Sequence, residues 1–188
     1  MIDVYRAVLS NCVSTLRFYS DADWNIPAIG IDMSVSGVGA HVADGLIAYA
    51  AQIVGQPSDH WVPIQVAIEQ GADVFGLIEA ISTAGRILDI VAVNSPATSR
   101  SYHSWGMSDP EGFLAMGCVE LLAHTYDIVT SLEGEFSVDD KLVQPFLERL
   151  FRGVPTECSR WEALLWSTGR IAIPGSPRQE SWRWYADV

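Results

Sequence analysis

Basic residues are scarce in this chain: 11 Lys and Arg stand against 23 Asp and Glu, a formal net charge of −12. A surface that acidic repels nucleic-acid phosphates and anionic lipid headgroups, so DNA- and RNA-binding functions are set aside. Cysteine is nearly absent. Cys12, Cys118 and Cys158 are widely spaced and form no C-x-x-C. This speaks against a disulfide framework or a thiolate zinc site and fits a reducing compartment. Each cysteine is expected to be a small buried hydrophobe. The opening residues Met1 to Arg6 lack the basic region and long apolar run of a signal peptide, and no stretch of ~18 uninterrupted apolar residues follows. The expectation is a cytoplasmic protein with no membrane partner. There is no long period-2 alternation, internal repeat, low-complexity tract or linker, so residues 1–188 read as one all-α domain.

What the sequence has is apolar residues, 49% of the chain, spaced for helices. Tyr5, Val8, Cys12, Leu16 and Tyr19 predict a first helix over 2–19. A loop through Trp24 and Pro27 follows, and Ser34 or Ser36 can cap a second helix over about 36–54, striped by Val38, Val42, Leu46, Tyr49 and Ile53. Leu77, Ile81, Ala84, Leu88 and Val91 form the seam of a long third helix, placed at roughly 64–92. A polar loop spans Asn94 to Pro110. Asp109-Pro110-Glu111 then opens a fourth helix to about residue 131, apolar nearly all round and so the most buried. Shorter helices are predicted at 138–152 and 157–169. The tail from Ile171 to Val188 is expected to lie extended or as a hairpin over a helix bundle.

The fourth helix carries Glu120 and His124, four residues apart and therefore on one face, which Phe113, Met116 and Gly117 mark as inward. A carboxylate buried alone costs several kcal/mol or is neutralised. A divalent cation resolves this, with imidazole as a nitrogen ligand. The competing account is a Glu–His hydrogen bond that stiffens the core. A third ligand must come from a neighbouring helix, and His41, among Val38, Ala40, Val42 and Leu46, is the best candidate. Two histidines and one carboxylate leave coordination positions open, as in catalytic zinc sites; Fe(II), Ni(II) and Mn(II) share this ligand set.

Three stretches carry a family resemblance: His41 to Gln52; Trp105 to Phe113 leading into Gly117 to Ile128; and Leu164 to Arg170 with Ile173-Pro174-Gly175 and Trp182-Arg183-Trp184. Together they resemble the DinB-like superfamily, in its actinobacterial mycothiol-dependent maleylpyruvate isomerase N-terminal branch. The resemblance covers essentially the whole chain, most clearly from Trp24 onward. It implies a four-helix bundle with a long crossover between helices two and three. It also implies a metal, usually zinc, on one His of helix two and a Glu-x-x-x-His of helix four, which fall here on His41, Glu120 and His124. The isomerase of that family has an additional C-terminal domain that helps form its active site. No counterpart of it follows in this sequence, which speaks against maleylpyruvate isomerisation itself.

The functional expectation is a metal-dependent transferase or isomerase using a low-molecular-weight thiol such as mycothiol on a small electrophilic substrate. The alternatives are a metal-dependent hydrolase or cyclase of secondary metabolism, or a non-catalytic metal-binding bundle. The candidate catalytic residues are His103, Arg100 and Asp127. His103 and Arg100 share the loop before helix four, where His103 can be an acid/base at the mouth of the site or a surface residue. Asp127 can orient His124 or bond the backbone. Tyr49 reads as core, His60 as structural or surface, and Arg170 as either an anion-holding group or a helix C-terminal cation. The 7 tryptophans read as packing of the late segment against the bundle, with one or two able to line an aromatic pocket. Homodimerisation through a bundle face is a further expectation.

Overall fold

The computed structural model describes residues 1–187. Among these residues six helices form a bundle with one small hairpin: α1 (Ile2–Phe18), α2 (Val35–Gly55), α3 (Val74–Asn94), β1 (Ser101–His103), β2 (Gly106–Ser108), α4 (Pro110–Ser131), α5 (Asp140–Leu150) and α6 (Arg160–Ser167). The four long helices make the core. α2 packs on α3 and α4, α1 packs on α3 and α4, and the short α5 and α6 pack together beside α4. The predicted stripes point inward: Tyr5, Val8, Cys12 and Leu16 on α1, and Val38, Val42, Leu46, Tyr49 and Ile53 on α2, are all buried. α4 is buried around almost its whole circumference. α2 and α4 are long and apolar enough to cross a membrane, yet 83% of the relevant α4 window is buried inside this protein, as in the core helix of a bundle.

Capping side chains set the helix starts. Ser34 Oγ accepts from Gly37 N, Asp73 Oδ1 from Gly76 N, and Asp109 Oδ1 from Gly112 N, with Pro110 in the first turn. α6 opens with a reciprocal box between Ser159 and Glu162. α4 approaches α1, α2 and α3 closely because Gly117 has no side chain. A Cβ there would lie 2.9 Å from Tyr5, 3.0 Å from Leu88 and 3.3 Å from Leu46. Cys12 and Cys118 are buried, Cys158 is half-buried, and all three are free thiols. Burial pushes the Cys12 thiol up to about 12, so it packs as a hydrophobe.

Two expectations need correction. The third helix starts at Val74, not near residue 64, because Asp73 takes the cap and residues 62–73 contain no helix. Val62, Val66 and Ile68 in that segment are half-buried, and residues 63–65 and 67 are exposed. Their spacing of two from 66 to 68 belongs to extended chain, not to the helical period that begins at α3. The connection between α2 and α3 is correspondingly long. The segment before α4 is also not plain loop. β1 and β2 pair antiparallel, with Ser101 opposite Ser108, Tyr102 opposite Met107 and His103 opposite Gly106. Strands of three residues are too short to show a period. Gly106 turns this hairpin with φ of 129°, a conformation that side chains disfavour.

Gln52 fastens both of these irregular segments to α2. Its side chain is fully buried. Nε2 donates to His60 O at 3.2 Å and Tyr102 O at 2.6 Å, and Oε1 accepts from Val62 N at 2.7 Å. Asp44, also on α2, accepts from Val66 N at 2.6 Å. The tail then crosses the hairpin and α5: Tyr185 N donates to Leu150 O and Ala186 N to Trp105 O, which buries Trp184 and Ala186. Connection, hairpin and tail therefore meet over the middle of α4, around Glu120 and His124.

Candidate metal centre

His41 from α2 and Glu120 and His124 from α4 converge, each offering one ligand atom, all within 4.8 Å of one another. Glu120 Oε2 is 3.2 Å from His124 Nε2 and 3.8 Å from His41 Nε2. A tetrahedral ion with bonds near 2.1 Å places its ligand atoms about 3.4 Å apart, so these two separations bracket that value. The imidazoles meet edge to face, with centroids 5.1 Å apart. The donor set, two imidazole nitrogens and one carboxylate, fits a divalent ion. His41 does not sit in a wholly apolar setting, however. Its side chain is 46% exposed, against 14% for Glu120 and 15% for His124, so it forms the rim of the centre.

Each α4 ligand is held from behind. Tyr49 Oη donates to Glu120 Oε1 at 3.0 Å, which leaves Oε2 facing the two histidines. Asp127 Oδ2 lies 3.0 Å from His124 Nδ1. Arg170 donates to the same carboxylate, from Nη2 to Oδ2 at 2.7 Å and from Nε to Oδ1 at 3.2 Å, and from Nη1 to Thr168 O at 2.9 Å. A carboxylate behind a ligating His fixes its ring and tautomer. Arg170 in turn fixes the carboxylate.

The electrostatics follow from this packing. Burial lowers the His124 pKa, but the two flanking carboxylates, Asp127 and Glu120, outweigh it and raise the imidazole to about 9. Burial likewise pushes the Glu120 carboxyl up. Bonding to His124, the charge of His41 and the Tyr49 hydroxyl reverse that and hold it below its ordinary range. Asp127 is also held low, its burial outweighed by His124 and Arg170. Without metal, the centre is a carboxylate–imidazolium–carboxylate row, and any ion that enters must displace the His124 proton.

Above the ligands lies a cavity of about 340 Å³, walled by Tyr49, Trp61, His103, Trp105, Trp182 and Trp184, with Arg170 at one side. His103 lies in the hairpin and is buried, contrary to a surface position. Burial takes its imidazole down to about 4, so it is neutral. Its Nδ1 accepts from Trp105 N at 3.1 Å. A second cavity of about 370 Å³, lined in part by Asp127, adjoins and shares His124, Arg170 and Trp182.

Of the sequence candidates, His41, Glu120, His124, Asp127 and His103 are brought together. Arg100 is not. It is exposed, its guanidinium is bonded to Ala97 O and Ser99 O, and it does not line the cavity. The cation at the site is Arg170. Tyr49, read as core, is the partner of Glu120. His60 is on the surface and pairs with Asp59.

No protein-family model, curated protein or solved structure matches this chain.

Proposed function

We propose that this protein is a divalent-metal-dependent enzyme in which His41, Glu120 and His124 hold the ion, zinc first among the candidates. A low-molecular-weight thiol then adds to a small electrophilic substrate in the cavity above, in a transferase or isomerase reaction. The observation that carries this reading is the convergence of three metal-ligating atoms at the floor of a walled cavity. Three protein ligands match catalytic zinc sites, which keep a position open, rather than four-ligand structural sites. The thiol comes from the resemblance of residues 41–52, 105–128 and 164–184 to the mycothiol-dependent DinB-like branch, and so does the bundle topology proposed for the chain. A bound divalent ion supplies Lewis acidity, which activates a thiol or a water as nucleophile.

The chain's own residues do the rest. Tyr49 and Asp127 orient Glu120 and His124. Arg170 neutralises Asp127, so the carboxylate supports His124 without adding net charge beside the substrate. Trp61, Trp105, Trp182 and Trp184 give the cavity apolar walls. His103, neutral and lining the same cavity, can donate a hydrogen bond from Nε2 to a substrate oxygen.

Protein purified without tags should contain stoichiometric metal, and His41→Ala, Glu120→Ala and His124→Ala should each abolish it. Unchanged metal content in all three variants would overturn the site. In the cobalt-substituted protein, mycothiol or another small thiol should shift the visible spectrum. An unresponsive spectrum with the metal in place would reject the thiol and favour the hydrolase or cyclase alternative.

A further inference from the structure

A third cavity, of about 520 Å³, backs onto the one above the metal centre, because Trp105 and Trp182 line both. The rest of its wall comes from other segments. Arg152 follows α5, Ser167 ends α6, and Arg183 and Tyr185 belong to the tail. The 2.7 Å bond from Tyr185 N to Leu150 O draws the tail against the end of α5 and so sets Tyr185 beside Arg152.

Charge sets this cavity apart. The chain has 23 acids against 11 bases, yet two arginines and no Asp or Glu line the cavity. The Arg152 guanidinium carbon lies 4.0 Å from the centroid of the Tyr185 ring, and that of Arg183 lies 4.9 Å from the same centroid. Both are within the range at which a ring face attracts a cation. Stacking on one ring holds the two cations close together but does not neutralise them. The arginines that pair with a carboxylate among the described residues are Arg6, Arg149 and Arg170, so Arg152 and Arg183 are both without one. Each presents a fork of N–H donors, the geometry that grips phosphate and carboxylate oxygens in pairs. Ser167, 4% exposed, brings a hydroxyl to the same wall.

Two cations on one ring are matched by a group that concentrates two negative charges. A phosphomonoester carries about 1.5 to 2 near neutral pH, a carboxylate only one. The indole walls suit a ligand whose organic part is flat. The cavity volume lies within the range of small-molecule sites, of order 300–1,000 Å³, and the acidic remainder of the chain repels a long polyanion. We infer that this cavity is a second small-molecule site, which takes a phosphomonoester with a flat organic part. The phosphate oxygens sit between Arg152 and Arg183, and the flat part lies against Trp105 and Trp182. The site uses no metal ligand and stands independently of the function proposed above.

Calorimetric titration of the protein at low ionic strength, with phenyl phosphate, methyl phosphate and benzenesulfonate, tests it. Phenyl phosphate should bind about tenfold more tightly than the singly charged benzenesulfonate and at least about threefold more tightly than methyl phosphate, which has no ring. Arg152→Gln and Arg183→Gln, at exposed positions, should each weaken phenyl phosphate by at least about tenfold and leave the metal content unchanged. Arg86→Gln, which removes the same charge from an exposed position on α3, should leave its binding as it was. An equal loss in Arg86→Gln would reduce the effect to general attraction by charge and overturn the site. Binding lost in His41→Ala but kept in both cavity variants would put the phosphate at the metal centre and overturn it too. No binding of phenyl phosphate by the folded protein, or equal binding of phenyl and methyl phosphate, would reject the ligand class. None of these results counts against the metal centre.

Discussion

Asp127 is the residue on which the centre can be tested most sharply, because Asp127→Asn keeps its size and removes only its charge. The carboxylate is 5% exposed and serves His124 Nδ1 at 3.0 Å and Arg170 at 2.7 and 3.2 Å. An amide offers one oxygen where two donors converge, so its NH₂ must face either the His124 N–H or the Arg170 guanidinium, donor against donor. Removing the partner of a ligating histidine typically costs about 10–100-fold in metal affinity, or about 1.4–2.7 kcal/mol. The metal-free protein suffers separately. Stripping one member from a buried ion pair costs about 3–5 kcal/mol. The lower end applies here, since Thr168 O still accepts from Arg170 Nη1 at 2.9 Å. At about 2–4 °C per kcal/mol for a chain of this size, the midpoint should fall by roughly 6–12 °C.

Chelator competition for zinc measures the first effect, and scanning calorimetry of the metal-free protein the second. Adding Arg170→Leu separates them. It removes the stranded cation and should recover much of the lost stability; it also frees the amide oxygen to accept from His124, so zinc affinity should recover in part and stay below the parent, because a neutral acceptor supports the ring less than a carboxylate. If Asp127→Asn binds zinc within about twofold of the parent, far less than an orienting partner is worth, Asp127 does not position His124.

The pH dependence of the metal-free protein has a definite sign. His124 is raised from 6.5 to about 9 on folding, so its contribution is complete below pH 6.5 and is lost as pH rises through 9. Glu120 and Asp127 are depressed, so theirs is complete above the ordinary carboxylate range and lost as pH falls through their folded values. Zinc affinity should instead climb between pH 6.5 and 9, as the competing His124 proton leaves; calorimetry with and without zinc across that range checks both slopes. Gln52→Leu removes three hydrogen bonds at about 1 kcal/mol each and should lower stability by about 3 kcal/mol in urea titrations, with amide exchange accelerating at Val62 and across the hairpin. Gly117→Ala pushes a methyl against Tyr5 and Leu88; overpacking of about 1–3 kcal/mol should exceed the roughly 1 kcal/mol gained in helix propensity, leaving a net loss in the same assay.

The helices and the ligands on α4 were legible in the sequence because each depends on one local period. Glu120 and His124 share a face at any tilt of α4, and the inward Phe113, Met116 and Gly117 say which face. His41 needed more, since its distance from Glu120 depends on how α2 lies against α4; its position in the apolar stretch identified it but concealed its 46% exposure. Tyr49 is eight residues beyond His41, about 80° round the helix at 100° per residue, close enough to share the site but equally suited to core. Arg170 is separated from Asp127 by 43 residues, and nothing local to either foretells the pair. Arg100 is near His103 in sequence but not at the site. Strand geometry separates them: Ser101 and His103 face inward, and a residue three positions from His103 has the opposite direction.

The division between what was legible and what was not is also a division of labour. The ligands stand on α2 and α4, whose positions are set by the core around Gly117, Leu46 and Leu88. The cavity walls stand on the connection, the hairpin and the tail, segments without a helical period that are fastened to the bundle by a few bonds, notably those of Gln52 and the Tyr185–Leu150 and Ala186–Trp105 contacts. Substitutions in the walls can therefore change what binds without disturbing the metal, whereas substitutions beneath Glu120 and His124 alter the metal first. This arrangement makes Trp182 and His103 the residues to vary for specificity, and Asp127 and Tyr49 the residues to vary for the ion.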